Sequence, residues 1–362
     1  MTITVGSFPY SPGSNPYQRL FTESLEGQGV SVDRLPPAKW FPVQKALSHP
    51  CDVMHFDWPH DWYSGKNAAT RFLKSRMYLS GLKKRSISKL VWTAHNLTGH
   101  DAANAKYEER MLQALINRCD GILVMSAAAE GQMRQRYQIK PSTKVQTAFH
   151  GHYIDCYPNE ISREDARTQL KIQTNEQVFL AIGTIRPYKG HLELIRAFGQ
   201  SARKGQRLVI AGKVSDPEYR NSLEVEAQRH NELHNGTIDL FLSLVPDSDL
   251  QVYFNAADIC VLPFSNILNS GSLLMAMSFG IPVVAPDLGS IPEVILKDSS
   301  FLFPPNQSDA LADALSKSAD LFADFGSQDR TALIETVRDK YAWSNFGASA
   351  VELYQQVLGK SW

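Results

Sequence analysis

The sequence lacks the marks of several protein classes. Its four cysteines, Cys51, Cys119, Cys156 and Cys260, form no Cys-x-x-Cys pair. A disulfide frame or zinc site is therefore not expected, and they read as reduced core residues of a cytosolic protein. No run approaches the roughly 20 apolar residues of a membrane-spanning helix. The opening residues, Met1-Thr-Ile-Thr-Val-Gly6, read as a short strand entering a loop, without the charged start and long apolar stretch of a signal peptide. Low-complexity segments and short-period repeats are missing too. No spacing of His, Cys, Asp and Glu makes a persuasive metal site, so no metal or other cofactor is expected. Net charge is also absent, with 37 Lys and Arg against 37 Asp and Glu, which gives a nucleic-acid partner little support.

The chain has 362 residues, 43% of them apolar, enough for two domains with full cores. Its balanced charge conceals a division. Residues 1–155 carry 19 Lys and Arg against 12 Asp and Glu, about +7, and the remainder is acidic by the same amount. Lys66, Arg71, Lys74, Arg76, Lys83, Lys84, Arg85 and Lys89 occur with no acid between Asp61 and Asp101. Phe72, Leu73, Met77, Tyr78 and Leu79 are interleaved with them. Basic and apolar residues on one helix suit a membrane surface; a soluble helix with a solvated basic face is the plainer alternative.

The first part alternates strand and helix. Strands are expected at 3–5, 30–33, 52–56, 89–93 and 121–125, and helices at 15–28, 71–82, 107–118 and 126–137. Such alternation means an α/β domain with a parallel sheet covered on both faces, and ligands then sit beyond the carboxyl ends of the strands. Residues 1–155 form this domain, and the polar stretch 156–176 reads as a linker with a short helix. The pattern restarts over 177–340. Strands are expected there at 178–182, 207–211, 237–241, 259–261 and 282–285, and helices at 191–201, 216–231, 248–256, 271–278 and 308–322. A last helix, about 344–358 within 341–362, has the position to cross back to the first domain.

One stretch carries most of the chemistry. Val178-Phe-Leu-Ala-Ile-Gly-Thr-Ile-Arg-Pro-Tyr-Lys-Gly190 runs from a buried strand into a tight turn bearing Arg186 and Lys189, then into an amphipathic helix. Two cations and backbone N–H groups on one loop suit a diphosphate. Asn269, Ser270, Gly271 and Ser272 precede an apolar helix and supply N–H groups at its positive end. Together they oppose the charge that grows on a leaving nucleoside diphosphate, without a metal. A solvated turn and a serine cap are the plainer alternative. Asp247-Ser-Asp249 reads as a helix start, not a metal motif.

The motif Gly-x-x-Arg-Pro-x-Lys-Gly after a strand resembles the diphosphate loop of GT-B glycosyltransferases of the family 4 type. Ala257-Asp-Ile-Cys-Val-Leu-Pro263, Phe279-Gly-Ile-Pro-Val-Val-Ala-Pro286 and Ser290-Ile-Pro-Glu-Val294 resemble the same group. Asn15-Pro-Tyr17, Asp52-Val-Met-His-Phe-Asp-Trp-Pro59, Thr93-Ala-His-Asn-Leu97, Phe149-His-Gly-His-Tyr153 and Asn269-Ser-Gly271 look closest to the family 94 β-mannosyltransferases of xanthan-type exopolysaccharide assembly. The resemblance implies a GT-B fold, two facing Rossmann-like domains with a cleft between them. It implies a nucleotide-sugar substrate, here mannose from GDP-mannose, and an acceptor glycan linked to polyprenyl diphosphate at the inner membrane face. One departure stands out: where family 4 carries a pair of glutamates, this chain has Ile267 and Met275. Resemblance to family 94 implies inversion in place of the retaining chemistry of family 4. A UDP-sugar enzyme, retaining or not, and a non-catalytic nucleotide-binding subunit remain as alternatives.

An inverting transfer needs a base for the acceptor hydroxyl. Asp57, His95 and Asp101 stand near strand ends of the first domain and are the three candidates; either aspartate also suits a turn or cap. His95 alternatively contacts donor sugar or diphosphate. His150 is expected at donor phosphate or sugar, and Asn15 and Tyr17 at donor phosphate or acceptor.

Overall fold

A computed structural model describes residues 2–11, 13, 15–65, 67–84, 88–97, 105–232, 235–307 and 309–359. Asp101 lies outside the described residues, as do Lys66 and Arg85. The chain divides into two units, one of Met1–Gly151 with Tyr341–Trp362 and one of His152–Lys340.

The first unit is built on six parallel strands, β1 (Thr4–Phe8), β2 (Ser31–Arg34), β3 (Val53–Phe56), β4 (Lys89–Thr93), β5 (Gly121–Val124) and β6 (Lys144–Thr147). Their order is β2-β1-β3-β4-β5-β6. Every residue of β3 and β5 is buried, as expected for strands covered on both faces. The helices Tyr17–Gly27 and Trp343–Leu358 pack on one face. Phe21, Leu25, Phe346, Ala350 and Leu353 join Val5, Val53, Val91 and Leu123 in one core. The terminal helix thus belongs to this unit.

In the second unit, β7 (Gln177–Ile182), β8 (Gln206–Ala211), β9 (Thr237–Phe241), β10 (Ile259–Val261), β11 (Val283–Pro286) and β12 (Ser300–Phe303) run parallel in the order β12-β11-β10-β7-β8-β9. The stretch 156–176, expected as a linker, is packed into this unit. Its helix Arg163–Gln169 lies on the helix Leu250–Ala256. Buried Arg167 reaches Asp258 at 2.8 Å and donates to the carbonyls of Ala256, Gln173, Thr174 and Glu176. Asp249 stands at a helix start as expected, but its side chain caps no N–H there.

In both sheets the strand order reverses at the first strand. The switch lies between β1 and β3 in one and between β7 and β10 in the other. Loops leaving those strands part in opposite directions and leave a crevice at the carboxyl ends, the usual ligand position of such sheets.

Candidate functional site

In the first unit the switch point brings Asp57 and His95 together. Asp57 follows β3 directly. Its N–H donates to the Phe8 carbonyl at 3.2 Å, and its own carbonyl accepts the Trp92 indole N–H at 3.0 Å. The side chain is wholly buried, with Oδ1 2.9 Å from His95 Nε2 and Oδ2 3.4 Å from Gln18 Nε2. A buried carboxylate needs such partners. Burial pushes its pKa up, but the hydrogen bond and charge of His95, helped by His55 and Gln18, outweigh burial and hold it below the usual carboxylate value. Asp57 is therefore ionised at neutral pH and has no proton to give. Because an ionised carboxylate can only accept, His95 Nε2 is the donor in this contact.

The imidazole of His95 is held on both sides. Trp58 stacks on it at 4.2 Å and 17°, and Tyr17 meets it edge-on at 4.7 Å and 81°. The His95 side chain is 10% exposed against 0% for Asp57, so only the histidine can meet a substrate atom. The two expected alternatives are thus one assembly, an imidazole held by a buried carboxylate.

Tyr17 requires a correction. Its ring is 1% exposed, packed against Trp58, His95, His150 and Trp343, and offers no surface to an acceptor or a phosphate. It supports His95 instead. Asn15 is exposed, and its Oδ1 accepts the Tyr17 N–H at 3.0 Å. His150 is the residue expected at donor phosphate or sugar. Burial lowers its imidazole to about 4, so the ring is neutral. Its Nδ1 lies 2.6 Å from the Gly151 carbonyl, which can only accept, so Nδ1 carries the hydrogen and Nε2 is an acceptor. Such a nitrogen suits a sugar hydroxyl and not an anionic phosphate oxygen.

Sequence reasoning passed over Gln18, Trp58 and Tyr354. Gln18 and Trp58 each adjoin a residue that was singled out, and adjacency was their only signal. Tyr354 meets His55 Nδ1 at 2.7 Å, and His55 Nε2 meets Thr93 Oγ1 at the same distance. Burial lowers His55 to about 4. It is a neutral strut tying the terminal helix to the sheet.

In the second unit, Gly183 directly follows β7. The short turn Pro187–Lys189 leads through Gly190 into the helix His191–Ser201. Gly190 has φ 71°, and a Cβ there would lie 1.9 Å from the Pro263 carbonyl oxygen, so the backbone approach demands glycine. Gly212, after β8, is pressed likewise against the Gly183 carbonyl. A Cβ at Gly183 would stand 3.5 Å from Lys189 Nζ and 3.9 Å from Ser272 Oγ. The strand end, the loop lysine and the start of the helix Gly271–Ser278 therefore converge on one small space. Ser270 caps that helix by accepting the Leu273 N–H at 3.1 Å.

Lys189 Nζ lies 5.9 Å above the centre of the Phe264 ring. Burial and the charge of Arg186 lower its pKa to about 8. Two cations on one loop beside a helix start suit an anion. Ile267 is buried among apolar residues and Met275 lies within the helix, so neither position presents a carboxylate. Among the described residues no group of three or more His, Cys, Asp and Glu could hold a metal ion.

The family described as "Glycosyl transferases group 1" matches residues 162–323. The chain is 28% identical over 300 residues to the GDP-mannose:glycolipid 4-beta-D-mannosyltransferase of Xanthomonas campestris pv. campestris, covering 79% of this chain and 74% of that one. It is 25% identical over 288 residues to the D-inositol 3-phosphate glycosyltransferase of Corynebacterium glutamicum (strain R), covering 74% and 67%. Its fold matches that of the sucrose-phosphate synthase from Thermosynechococcus elongatus with a TM-score of 0.73 at 19% identity, over 100% of both chains. Residues 162–323 thus form a glycosyl transferases group 1 domain, and the chain is a glycosyltransferase with the GT-B fold.

Proposed function

We propose that this glycosyltransferase moves mannose from GDP-mannose, with inversion, onto a lipid-linked oligosaccharide in exopolysaccharide synthesis. The observation that carries the reading is the Asp57–His95 pair, a base oriented by a buried carboxylate. His95 takes the acceptor hydroxyl proton as the oxygen attacks the anomeric carbon. The bond from that carbon to the diphosphate breaks, and GDP leaves with the electron pair. Asp57 stays ionised and steadies the imidazolium. Arg186, Lys189 and the helix start at Asn269, Ser270, Gly271 and Ser272 oppose the charge growing on the diphosphate, so the proposal assigns no metal. His150 Nε2 accepts from a sugar hydroxyl, and Asn15 meets the acceptor. The donor and the glycolipid class follow the name of the Xanthomonas relative, and apolar Ile267 and Met275 favour inversion.

The same reading places the protein in the cytoplasm, resting on the inner membrane face. No helix among the described residues is long and apolar enough to cross a membrane. On the helix Ala68–Leu82, Phe72 is 63% and Leu73 50% exposed, among Arg71, Lys74 and Arg76. Each cation near anionic lipid contributes about 1 kcal/mol. Lys89 leaves this group, since it pairs with Asp120.

The test is product NMR after incubation with GDP-mannose and a polyprenyl-diphosphate-linked oligosaccharide. A β-anomeric signal from the α-linked donor is expected. An α-linkage overturns inversion, and turnover with UDP-sugars alone overturns the donor.

A further inference from the structure

A second cationic site lies at the opposite end of the first sheet. Lys89 opens β4, Asp120 precedes β5 and Lys144 opens β6, all at amino-terminal strand ends. Asp57 and His95 lie beyond the carboxyl ends, roughly 15 Å away along strands that rise about 3.3 Å per residue. A pocket of about 370 Å³ opens here, within the range of small-molecule sites. Lys89, Arg118, Lys140 and Lys144 line it against a single carboxylate, Asp120.

The local charges do not balance. Asp120 is already engaged by Lys89 at 3.2 Å, by Arg118 at 3.6 Å and by the Leu90 N–H at 2.9 Å. Among the described residues neither Lys140 nor Lys144 has a carboxylate partner, although Lys140 bonds the Asn117 carbonyl. Two helix carboxyl ends also face the pocket, at Asn117 after Ala105–Ile116 and at Gln356 and Val357 of Trp343–Leu358. Each supplies about half a negative charge. Four cations against one carboxylate and two half-charges leave about +2.

We propose that this pocket binds a phosphate group, either of free phosphate or pyrophosphate or of an anionic lipid headgroup. The ligand bridges Lys140 and Lys144 and rests against Lys89 and Arg118.

The experiment titrates inorganic phosphate, then pyrophosphate, into the full chain carrying Lys189→Ala, which weakens the donor diphosphate site. Saturable binding is expected, weakened at least tenfold when Lys140→Gln and Lys144→Gln are added. Both lysines are exposed, so the fold should survive, and circular dichroism checks it. The lipid arm uses phosphatidylglycerol vesicles, with Lys83→Gln and Lys84→Gln as a charge-matched control. Vesicle binding that falls at least tenfold further in the 140/144 variant than in the control, without saturable binding of free phosphate, assigns the pocket to a lipid phosphate. The proposal is overturned if no free anion saturates below about 10 mM and both variants bind vesicles equally. It is also overturned if anion binding is unchanged by the 140/144 substitutions.

Discussion

The two switch points solve their electrostatics in opposite ways. In the first unit the negative charge is complete without a substrate: Asp57 is buried, yet His95 and Gln18 satisfy it. In the second unit burial, with the nearby charge of Arg186, weakens the hold of Lys189 on its proton. On the proposed reading, His95 with Asp57 handles the proton, and Lys189 opposes the charge of the bound diphosphate. The first should respond to losing a residue of the pair, the second to anything that changes its charge, pH included.

The largest break comes at His95. His95→Ala removes the base and leaves Asp57 buried without its main partner. Turnover should fall about 10²–10⁴-fold, the usual contribution of a general base, while GDP affinity stays within about twofold. Steady-state rates and calorimetric GDP titration check this. If GDP binding falls in parallel with turnover, the pair belongs to donor binding and the division of labour is wrong.

The second unit sharpens the comparison through pH. Lys189 in the free protein titrates near 8, and a bound diphosphate raises that value by favouring the charged form. Below 8 the lysine is already protonated and donor affinity is full. Above 8 binding must take up a proton, so affinity falls by up to about tenfold per pH unit until the bound-state pKa is reached. Lys189→Arg keeps its charge and should flatten this dependence. Lys189→Ala should flatten it at low affinity and slow turnover by about 10²–10³-fold, the usual loss for one charge-stabilising group. Calorimetry with GDP from pH 6.5 to 9.5 is the measurement; an unchanged slope in Lys189→Arg would assign the titration to another group.

The same contrast explains what was legible in the sequence. Arg186 and Lys189 share one short loop, and Ser270 adjoins the helix it caps, so both could be read along the chain. The Asp57–His95 contact spans 38 residues. It depends on β3 lying beside β4 with Phe56 opposite Trp92, which sequence pattern does not specify; the residues were legible and their pairing was not. Core strands were legible because burial on both faces makes continuous apolar runs. The edge strands β6 and β12 passed unread because they are short and only partly buried. Tyr17 and His150 were placed near the chemistry correctly in sequence terms, but burial and a single carbonyl contact, invisible along the chain, decide what each can do.

The smallest expected effect tests whether the first unit is as self-contained as its geometry indicates. The Tyr17 hydroxyl is buried near Thr93 and Asp57 yet makes no hydrogen bond of normal geometry among the described residues. Burial, with Asp57 nearby, raises its pKa far above the usual tyrosine value, so it remains protonated. Removing an unsatisfied buried hydroxyl relieves a desolvation cost of about 1–3 kcal/mol and leaves the ring contacts intact. Tyr17→Phe should therefore hold or raise the melting temperature and keep turnover within about threefold, because support of His95 comes from the ring face and edge. A loss beyond tenfold in kcat with unchanged stability would show that the hydroxyl engages Asp57 or the substrate during reaction, and that the pair is completed only when the acceptor arrives.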